Sequence, residues 1–500
     1  MRYESGILDE KFQPRKKYQM RKSIHSRLYV IILVICFISA CQPLKNNETF
    51  IQTITGNIQT DDYSKKIIHN SLDDIHLPLT ISTALHLAIK NNPDARIALT
   101  RIEQARANIR ASQSSLYPSI NFYTEFVNGE SPSGYLFKTI DQRKLPPNTN
   151  FNNPGWFENY ETGIKIHYNL FSGGRTIFQQ KIAQAGEKVA RLDKVAVENE
   201  LMASVVNAYY DTLAAQDYSN IARESVSTVE KQLRLMKVRF HAGGALKSDV
   251  LSLEVRLAQA KEILVQSNNQ HQTAIAVLAN LLGFSPDRSI TPAKTSDLTI
   301  SIPVSYTKGY QTALEKRPEI KKIQKMIDQG QMGIHMAKAG LLPQVNLFTH
   351  HYYDSWNMGY HSRRRNWTAG ALLNWNIFDG LNTQSQIDKA TSMHAEFLES
   401  YRKTILNIRL DVKNAYLSLD AANARLSVAQ SSVENARESF NLVKKQYEGG
   451  SVNITRYLEA ELDRNRSRIR ATAAYYDREK GLANIARAIG IWKSIIVAEN

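Results

Sequence analysis

The sequence predicts a mainly α-helical protein with a membrane β-barrel, built from a unit of helix, β-hairpin, very long helix and returning helix that occurs twice. Three observations predict this fold class: a long internal repeat, paired strand patterns, and two long stretches without proline. The motif at 171–174 recurs at 378–381, and the two copies stay aligned as far as Gly283 and Gly490. A repeat of this length indicates a duplicated domain, not a short solenoid unit.

The composition argues against several classes of function. The net charge is +16, but Lys and Arg are spread beside Glu and Asp, which favours a solvated helix surface over nucleic-acid binding. Cys36 and Cys41 are the two cysteines, so the folded body has no thiol for a disulfide or a zinc site. We interpret His350, His351 and His361 as surface histidines of an exposed hairpin. No catalytic constellation stands out, so we expect neither an enzyme nor a cofactor nor a metal.

The first residues, 1–40, predict a secretory signal peptide whose true start is Met20. Basic residues precede an apolar run at 28–37, which has the length of a signal-peptide core and is too short to span a bilayer. The small residues before Cys41 resemble a bacterial lipobox, in which Cys41 would carry the lipid. The alternative is a plain signal peptide with an incidental cysteine. Gln42 favours sorting to the outer membrane, so we expect a lipid-anchored protein there.

Each repeat then opens with a helix. The first is predicted to begin near Ser82 and to pause at 91–93, because Pro93 suits the first position of the next helix. That next helix is predicted over 95–116, and Pro118 ends it.

A β-hairpin follows in each repeat, at 118–171 and at 343–378. The hydrophobic period changes from helical to two, which gives one apolar and one polar face. Aromatic residues cluster at the strand ends, as in a membrane girdle. The strands alone also allow a half-buried hairpin on a soluble core. The segment 129–155 between the first two strands is rich in Gly, Pro and Asn, so we predict a loop there.

Two very long helices follow the hairpins, at 175–241 and 382–448. Neither range contains proline, and at 1.5 Å per residue each spans about 100 Å. Apolar residues recur in steps of three and four, with lapses at Thr212 and Ser219, which is typical of a coiled-coil seam.

Glycine turns end the long helices at 241–244 and 448–451. Ser248 and Asp249 are predicted to cap the helix that returns to Gly283. The predicted organisation is a signal peptide at 1–40, a tether at 41–75, repeat one at 76–283, a linker at 284–305, repeat two at 306–492 and a C-terminal tail at 493–500.

Two hairpins give four strands for each chain, which cannot close a barrel. Open sheet edges are not tolerated in lipid, so strands in a membrane require several chains to join. Three chains supply an even number of strands, twelve, within the known range. The helices would then continue as a coiled-coil barrel outside the bilayer.

This order of elements resembles the TolC-like outer membrane efflux protein family over about residues 76–492. The residues that carry the resemblance are the proline spacings, the strand exits at 169–174 and 376–380, the Ala-Tyr pairs and the glycine turns. The resemblance implies a homotrimeric tunnel through the outer membrane and periplasm, in contact with outer membrane lipid. It also implies docking to an inner-membrane pump through a periplasmic adaptor, and no catalytic activity.

The resemblance also implies a gate at the periplasmic end, near the glycine turns. Glu459 matches one of two acidic family residues there, whereas Arg456 replaces the other, which could give an Arg456–Glu459 pair. The alternative reading of Glu459 is an ordinary solvated carboxylate on a helix surface. Tyr447 matches a family aromatic of the closed state, with Val452 where a hydrogen-bonding partner would stand.

We expect the adaptor to contact the two turns and the residues beside them. These tip residues are Gly243, Gly244, Asp249, Gly449, Gly450 and Ser451. Two other functions remain open from the sequence: a type I protein-secretion channel, and a periplasmic coiled-coil adaptor or structural lipoprotein.

Overall fold

The computed structural model describes residues 78–294, 300–357, 362–492 and 495. The predicted signal peptide, Cys41 and tether lie outside the described residues, as do His361 and most of the predicted C-terminal tail.

The order of elements repeats along the chain. In the first half, the elements are α1 (Ile81–Asn91), α2 (Pro93–Ser114), β1 (Ser119–Gly129), α3 (Pro132–Asp141), β2 (Phe157–Phe171), α4 (Arg175–His241) and α5 (Lys247–Leu281). In the second half, they are α6 (Tyr306–Lys316), α7 (Pro318–Lys338), β3 (Gln344–Ser355), β4 (Arg365–Asn374), α8 (Asn382–Glu448) and α9 (Ile454–Ile489), with 3₁₀ turns at Ala339–Leu341 and Ser362–Arg364. The predicted duplicated unit is confirmed.

Helix α3 corrects the prediction of a loop between the first two strands. The Ser131 hydroxyl accepts a hydrogen bond from the Gly134 N–H at 3.2 Å, and Pro132 occupies the first turn. A serine cap followed by proline is a favourable helix start. The prediction of a loop rested on the glycines and prolines that surround this short helix, and it overlooked the serine cap.

The four strands form one antiparallel sheet in the order β1-β2-β3-β4. Directly paired residues lie on the same face, and Phe122, Ile164 and Trp367 of the apolar face are 73%, 43% and 71% exposed. β1 and β4 are the two edges. Strand β4 ends at Asn374, so residues 375–378 of the predicted second hairpin lie beyond the strand.

The two long helices have the predicted bounds and each pairs with its returning helix. Along α8 the apolar residues of the predicted seam are all buried or half-buried, and in α4 Phe240 is the one seam residue that is exposed, at 38%. The lapses Thr212 and Ser219 are buried as well. Their hydroxyls donate to the Ala208 carbonyl at 2.8 Å and to Asn268 Oδ1 at 2.6 Å. Thr212 is thus satisfied within its own helix, and Ser219 by the returning helix.

The returning helices begin differently from each other. Helix α5 begins at Lys247 after Leu246, without a side-chain cap, so the prediction that Ser248 and Asp249 cap it is wrong. Helix α9 has a side-chain cap, because Asn453 Oδ1 accepts from the Arg456 N–H at 3.0 Å.

The repeats are braced alike where each returning helix ends beside the break between the first two helices of its repeat. Asn92 Nδ2 donates to the Leu281 carbonyl at 2.9 Å, and Arg317 Nη1 donates to the equivalent carbonyl of Ala488 at 3.0 Å. Each bond ties the start of a helix to the end of the returning helix of the same repeat. Across the ranges that the structure describes, no helix is both long and apolar enough to cross a membrane.

Candidate gate and docking tips

The far ends of the two helical hairpins are glycine turns that close by the same hydrogen bonds. The Gly244 N–H donates to the Arg239 carbonyl at 2.8 Å, and the Ser451 N–H donates to the Gln446 carbonyl at 2.8 Å. This is the Schellman motif, which needs a left-handed residue just before the donor. Gly243 and Gly450 supply it, each with φ of +75°. A Cβ at either position would meet nothing within 4 Å, so the backbone angle alone requires glycine.

All of the predicted adaptor-contact residues lie at these turns. Gly243, Gly244, Gly449, Gly450 and Ser451 are exposed, and Asp249 is half-buried in the first turn of α5. The turns therefore present accessible backbone at one end of the helical body.

An apolar cluster packs the two hairpins against each other just behind the turns. Its buried members are Val229, Leu233, Met236, Val250, Leu253, Phe440, Val443, Ile454, Tyr457 and Ala460. These residues come from α4, α5, α8 and α9, so the cluster joins both repeats near their tips.

Tyr447 is part of this cluster and connects three helices. Its ring lies 5.2 Å from the ring of Tyr457, and the Arg239 guanidinium of α4 lies 5.8 Å from its centroid. Burial raises the pKa of the Tyr447 phenol above its usual value. Val452 packs against the same cluster. Tyr447 is held there by its ring contact with Tyr457 and its cation–π contact with Arg239.

Arg456 and Glu459 lie on the exposed side of α9. Arg456 Nη1 donates to Glu459 Oε2 at 3.4 Å, one turn away, and both side chains are more than half exposed. The pair forms as the spacing allows. Because it is open to solvent, it contributes little to stability, and its charges remain accessible to solvent.

A buried ion pair behind the tips was missed by the sequence reasoning. Glu461 of α9 is fully buried and accepts a hydrogen bond from the Ser225 hydroxyl of α4 at 2.8 Å. Arg256 Nη2 of α5 donates to its other oxygen at 3.2 Å, and Asn465 Nδ2 donates to its first. Glu461 thereby connects the returning helix of the second repeat to both helices of the first hairpin.

The sequence carried one usable signal for this pair. Glu461 follows Ile454 and Tyr457 in the three-and-four spacing of the buried stripe of α9, where a carboxylate needs a partner. The equivalent residue of the first repeat, Glu254, is 44% exposed and pairs with Lys237 at 2.7 Å. The two repeats therefore differ at this position.

The outer end of the sheet carries a second polar network. Lys138 of α3 donates to Glu161 and, at 3.3 Å, to Asp354, and Asn159 Nδ2 donates to Asp354 at 2.6 Å. These contacts fold α3 over the polar face of the sheet.

His350 and His351 of the second hairpin lie on opposite faces of the sheet. His350 contacts Tyr123 on the polar face, whereas His351 pairs with Trp367 on the apolar face. Among the residues that the structure covers, no group of three or more His, Cys, Asp and Glu side chains could hold a metal ion.

Comparison with known proteins decides the family. The model of the family described as outer membrane efflux protein matches residues 84–284 and 309–491, which are most of both repeats. The chain belongs to the outer membrane efflux protein family. The predicted resemblance and the outer membrane location are thereby confirmed, and this is a family of channels, not of enzymes. Lipidation of Cys41 stays a prediction.

Similar proteins include exporters of different kinds. The pyoverdine export outer membrane protein OpmQ of Pseudomonas aeruginosa is 24% identical over 83% of this chain and 84% of its own length. The alkaline protease secretion protein AprF of the same organism is 23% identical, over 73% and 75%. The crystal structure of the Campylobacter jejuni CmeC outer membrane channel shares the fold, with a TM-score of 0.70 and 17% identity over 82% of this chain and 85% of that one.

Proposed function

We propose that this outer membrane efflux protein is one protomer of a homotrimeric channel that exports substrates from a periplasm-spanning tripartite efflux complex. One observation carries the proposal: the four-stranded sheet has two free edges, β1 and β4, and an exposed apolar face. In lipid, every edge must be paired. Three such sheets, joined from β1 to β4, supply twelve strands, and the long helices continue the wall as a coiled-coil cylinder.

The faces of the sheet then acquire different roles. The apolar face, with Phe122, Ile164 and Trp367, meets outer membrane lipid. The opposite face, which carries Lys165, Glu161 and other polar residues, lines water.

The periplasmic end is the proposed gate, formed by Arg456, Glu459 and Tyr447. In a trimer, Arg456 and Glu459 give a ring of alternating charge, and a narrow pore focuses the field of such charges on passing ions. Opening is a rotation of the two helical hairpins, α4 with α5 and α8 with α9, which pulls apart the apolar cluster behind the turns. A periplasmic adaptor shifts this equilibrium only if it binds the open arrangement more tightly.

The adaptor is proposed to dock at the two turns, and it connects the channel to an inner-membrane pump. Accessible backbone at Gly243, Gly244, Gly449 and Gly450 supports this role. The turns also serve chain reversal, and one position can fulfil both needs.

Disulfide trapping tests the trimer sharply, because the folded body has no cysteine of its own. The test variant carries Phe122→Cys on β1 and Ala371→Cys on β4, with Cys41→Ser. Oxidation should link chains into covalent trimers, as the two edges meet between protomers. The control variant pairs Phe122→Cys with Thr349→Cys on the inner strand β3, which β2 separates from β1, and should not link. A detergent-free monomer that never links would contradict the proposal.

A type I protein-secretion channel is the second candidate, and the relationship to AprF is the observation that favours it. The neighbouring genes distinguish the two. An adaptor with a proton-driven pump supports efflux, whereas an ATP-driven exporter beside a large repeat-rich secreted protein supports secretion. A deletion strain should accordingly lose either drug resistance or the secreted protein.

A further inference from the structure

The outer end of β4 carries two exposed arginines in line with a lipid-facing tryptophan. The exposed residues alternate with buried ones: Arg363, Arg365 and Trp367 are exposed, and Arg364 and Asn366 between them are buried. Register places Arg365 opposite Tyr353, on the same face as Trp367 and its partner His351. Arg365 therefore projects on the apolar side of the sheet.

The position of these arginines along the strand is that of a membrane surface. The apolar face of β4 runs from Leu373 to Trp367, about 20 Å at the usual rise for each residue. Arg365 follows about 7 Å further out, at the end of the strand opposite to the long helices. Cations placed just beyond an aromatic residue at the edge of an apolar band lie at headgroup depth.

The other two arginines of this end have structural partners. Arg364 donates from Nη1 to Ser355 Oγ at 2.8 Å and lies 3.5 Å from the Trp356 ring centroid. Arg143 Nη2 donates to Asn366 Oδ1 at 2.9 Å. In contrast, Arg363 and Arg365 have no ion pair or hydrogen-bonded side chain among the described residues. Glu158, an acidic residue of the same face, lies on β2, two strands and at least about 10 Å away.

We propose that Arg363 and Arg365 form a site for the phosphate groups of a phosphorylated glycolipid in the outer leaflet of the outer membrane, with Trp367 against its acyl chains. The guanidinium group suits this ligand because its planar fork matches phosphate oxygens in a bidentate way. The site rests on the proposed trimeric barrel, since only a barrel turns this face towards lipid.

Native mass spectrometry of the detergent-purified protein tests the site with a bisphosphorylated lipid A and its dephosphorylated form as probes. Wild-type trimers should retain the phosphorylated probe preferentially. Each basic residue near a charged lipid surface contributes about a fivefold gain in affinity. The double variant Arg363→Gln/Arg365→Gln should therefore lose roughly twenty-five-fold. The control Arg402→Gln/Arg437→Gln removes two exposed charges from α8 and should bind as wild type does.

The same spectra separate the two proposals. Monomers would contradict the trimer, whereas trimers that retain both probes equally would overturn the lipid site. If the arginines instead pair with acidic residues of a neighbouring protomer, the double variant would dissociate more readily while its lipid retention stayed unchanged, and this result would also overturn the lipid site.

Discussion

Among single residues, Glu461 is the one whose replacement should affect the proposed gate most. It pairs with Arg256 at 3.2 Å and accepts from Ser225 at 2.8 Å, so it holds the two hairpins together. Glu461→Ala leaves the Arg256 guanidinium, whose side chain is only 13% exposed, without its anion. Loss of one partner from a buried pair costs about 3–5 kcal/mol. We expect a higher resting conductance of the purified channel in planar bilayers.

The duplicated chain supplies a matched control for this experiment. Glu254 is the equivalent residue of the first repeat, and its pair with Lys237 is exposed, with side chains 44% and 48% accessible. Such pairs contribute about 0–1 kcal/mol, so Glu254→Ala should conduct as wild type does. Equal resting conductance for Glu461→Ala and wild type would show that the buried pair does not restrain the tips.

Replacement of Glu459 should change the ion selectivity of the channel without changing the stability of the fold. In the proposed trimer, Glu459→Ala would leave three Arg456 side chains without their carboxylate partners at the proposed constriction. The reversal potential in a salt gradient should shift towards anion preference. Glu399→Ala is the control, because it breaks a similar exposed pair with Arg402, far from the tips on α8. Unchanged selectivity for Glu459→Ala would leave this residue an ordinary surface carboxylate.

How far the sequence predicts a residue depends on where its partners lie. Arg456 and Glu459 are one helical turn apart, so their pairing follows from spacing alone. The partners of Glu461 are 205 and 236 residues away, and only the packing of the two repeats brings them together. The sequence could indicate that Glu461 is a carboxylate on an otherwise apolar, buried stripe, but it could not indicate which cation neutralises it.

At the scale of elements, the long helices were predictable because their limits are glycines and their interiors lack proline. Two shorter features were not. Helix α3 exists because Ser131 caps it and Lys138 ties it to Glu161 and Asp354, contacts that a local pattern does not contain. Strand β4 ends just before Trp375, whose indole donates to the Leu341 carbonyl at 3.1 Å. These two residues are 34 positions apart in the sequence, so a local pattern does not contain the contact.

The start of each long helix offers a test of backbone strain. Gly174 precedes α4 with φ of +86°, whereas Leu381 takes the same place before α8 with φ of +67°. A left-handed conformation costs a non-glycine residue about 1–2 kcal/mol, and the added freedom of glycine in the unfolded chain offsets about 0.4–1 kcal/mol of this. Leu381 is 65% exposed, so little packing is lost on its replacement.

Leu381→Gly should therefore raise the unfolding free energy by about 0.5–1 kcal/mol. Gly174→Leu should lower it, because this change introduces the same strain into the first repeat. Thermal melting followed by helical circular dichroism measures both effects. Midpoints that shift in the same direction for the two variants would rule out backbone strain as the cause.

At the scale of the whole molecule, the two repeats share geometry but differ in chemistry. Neutral Asn92 makes the junction of the first repeat, whereas Arg317 makes that of the second and also contacts Asp411 at 2.7 Å. Arg487 of α9 contacts the same carboxylate at 2.8 Å. Of these two braces, the one in the second repeat includes an ion pair. The stability that this brace contributes should therefore depend on pH.

The direction of this pH dependence follows from Asp411. Burial raises its pKa, but hydrogen bonds from Arg317 and Arg487 outweigh that effect and hold the pKa below the usual value. A lowered folded pKa gives stability that is complete above the unfolded value of about 3.9 and is lost as the pH falls through the folded pKa.

Asp411→Asn should consequently melt below wild type at neutral pH, and the difference should shrink as the pH falls below the unfolded value of about 3.9 and through the lowered folded pKa. The reason is that acid removes from the wild type the same negative charge that the substitution removes at every pH. Asp420→Asn, an exposed carboxylate of the same helix, should melt as wild type does throughout. A difference between Asp411→Asn and wild type that persists undiminished in acid would assign the effect to packing at the junction instead of charge.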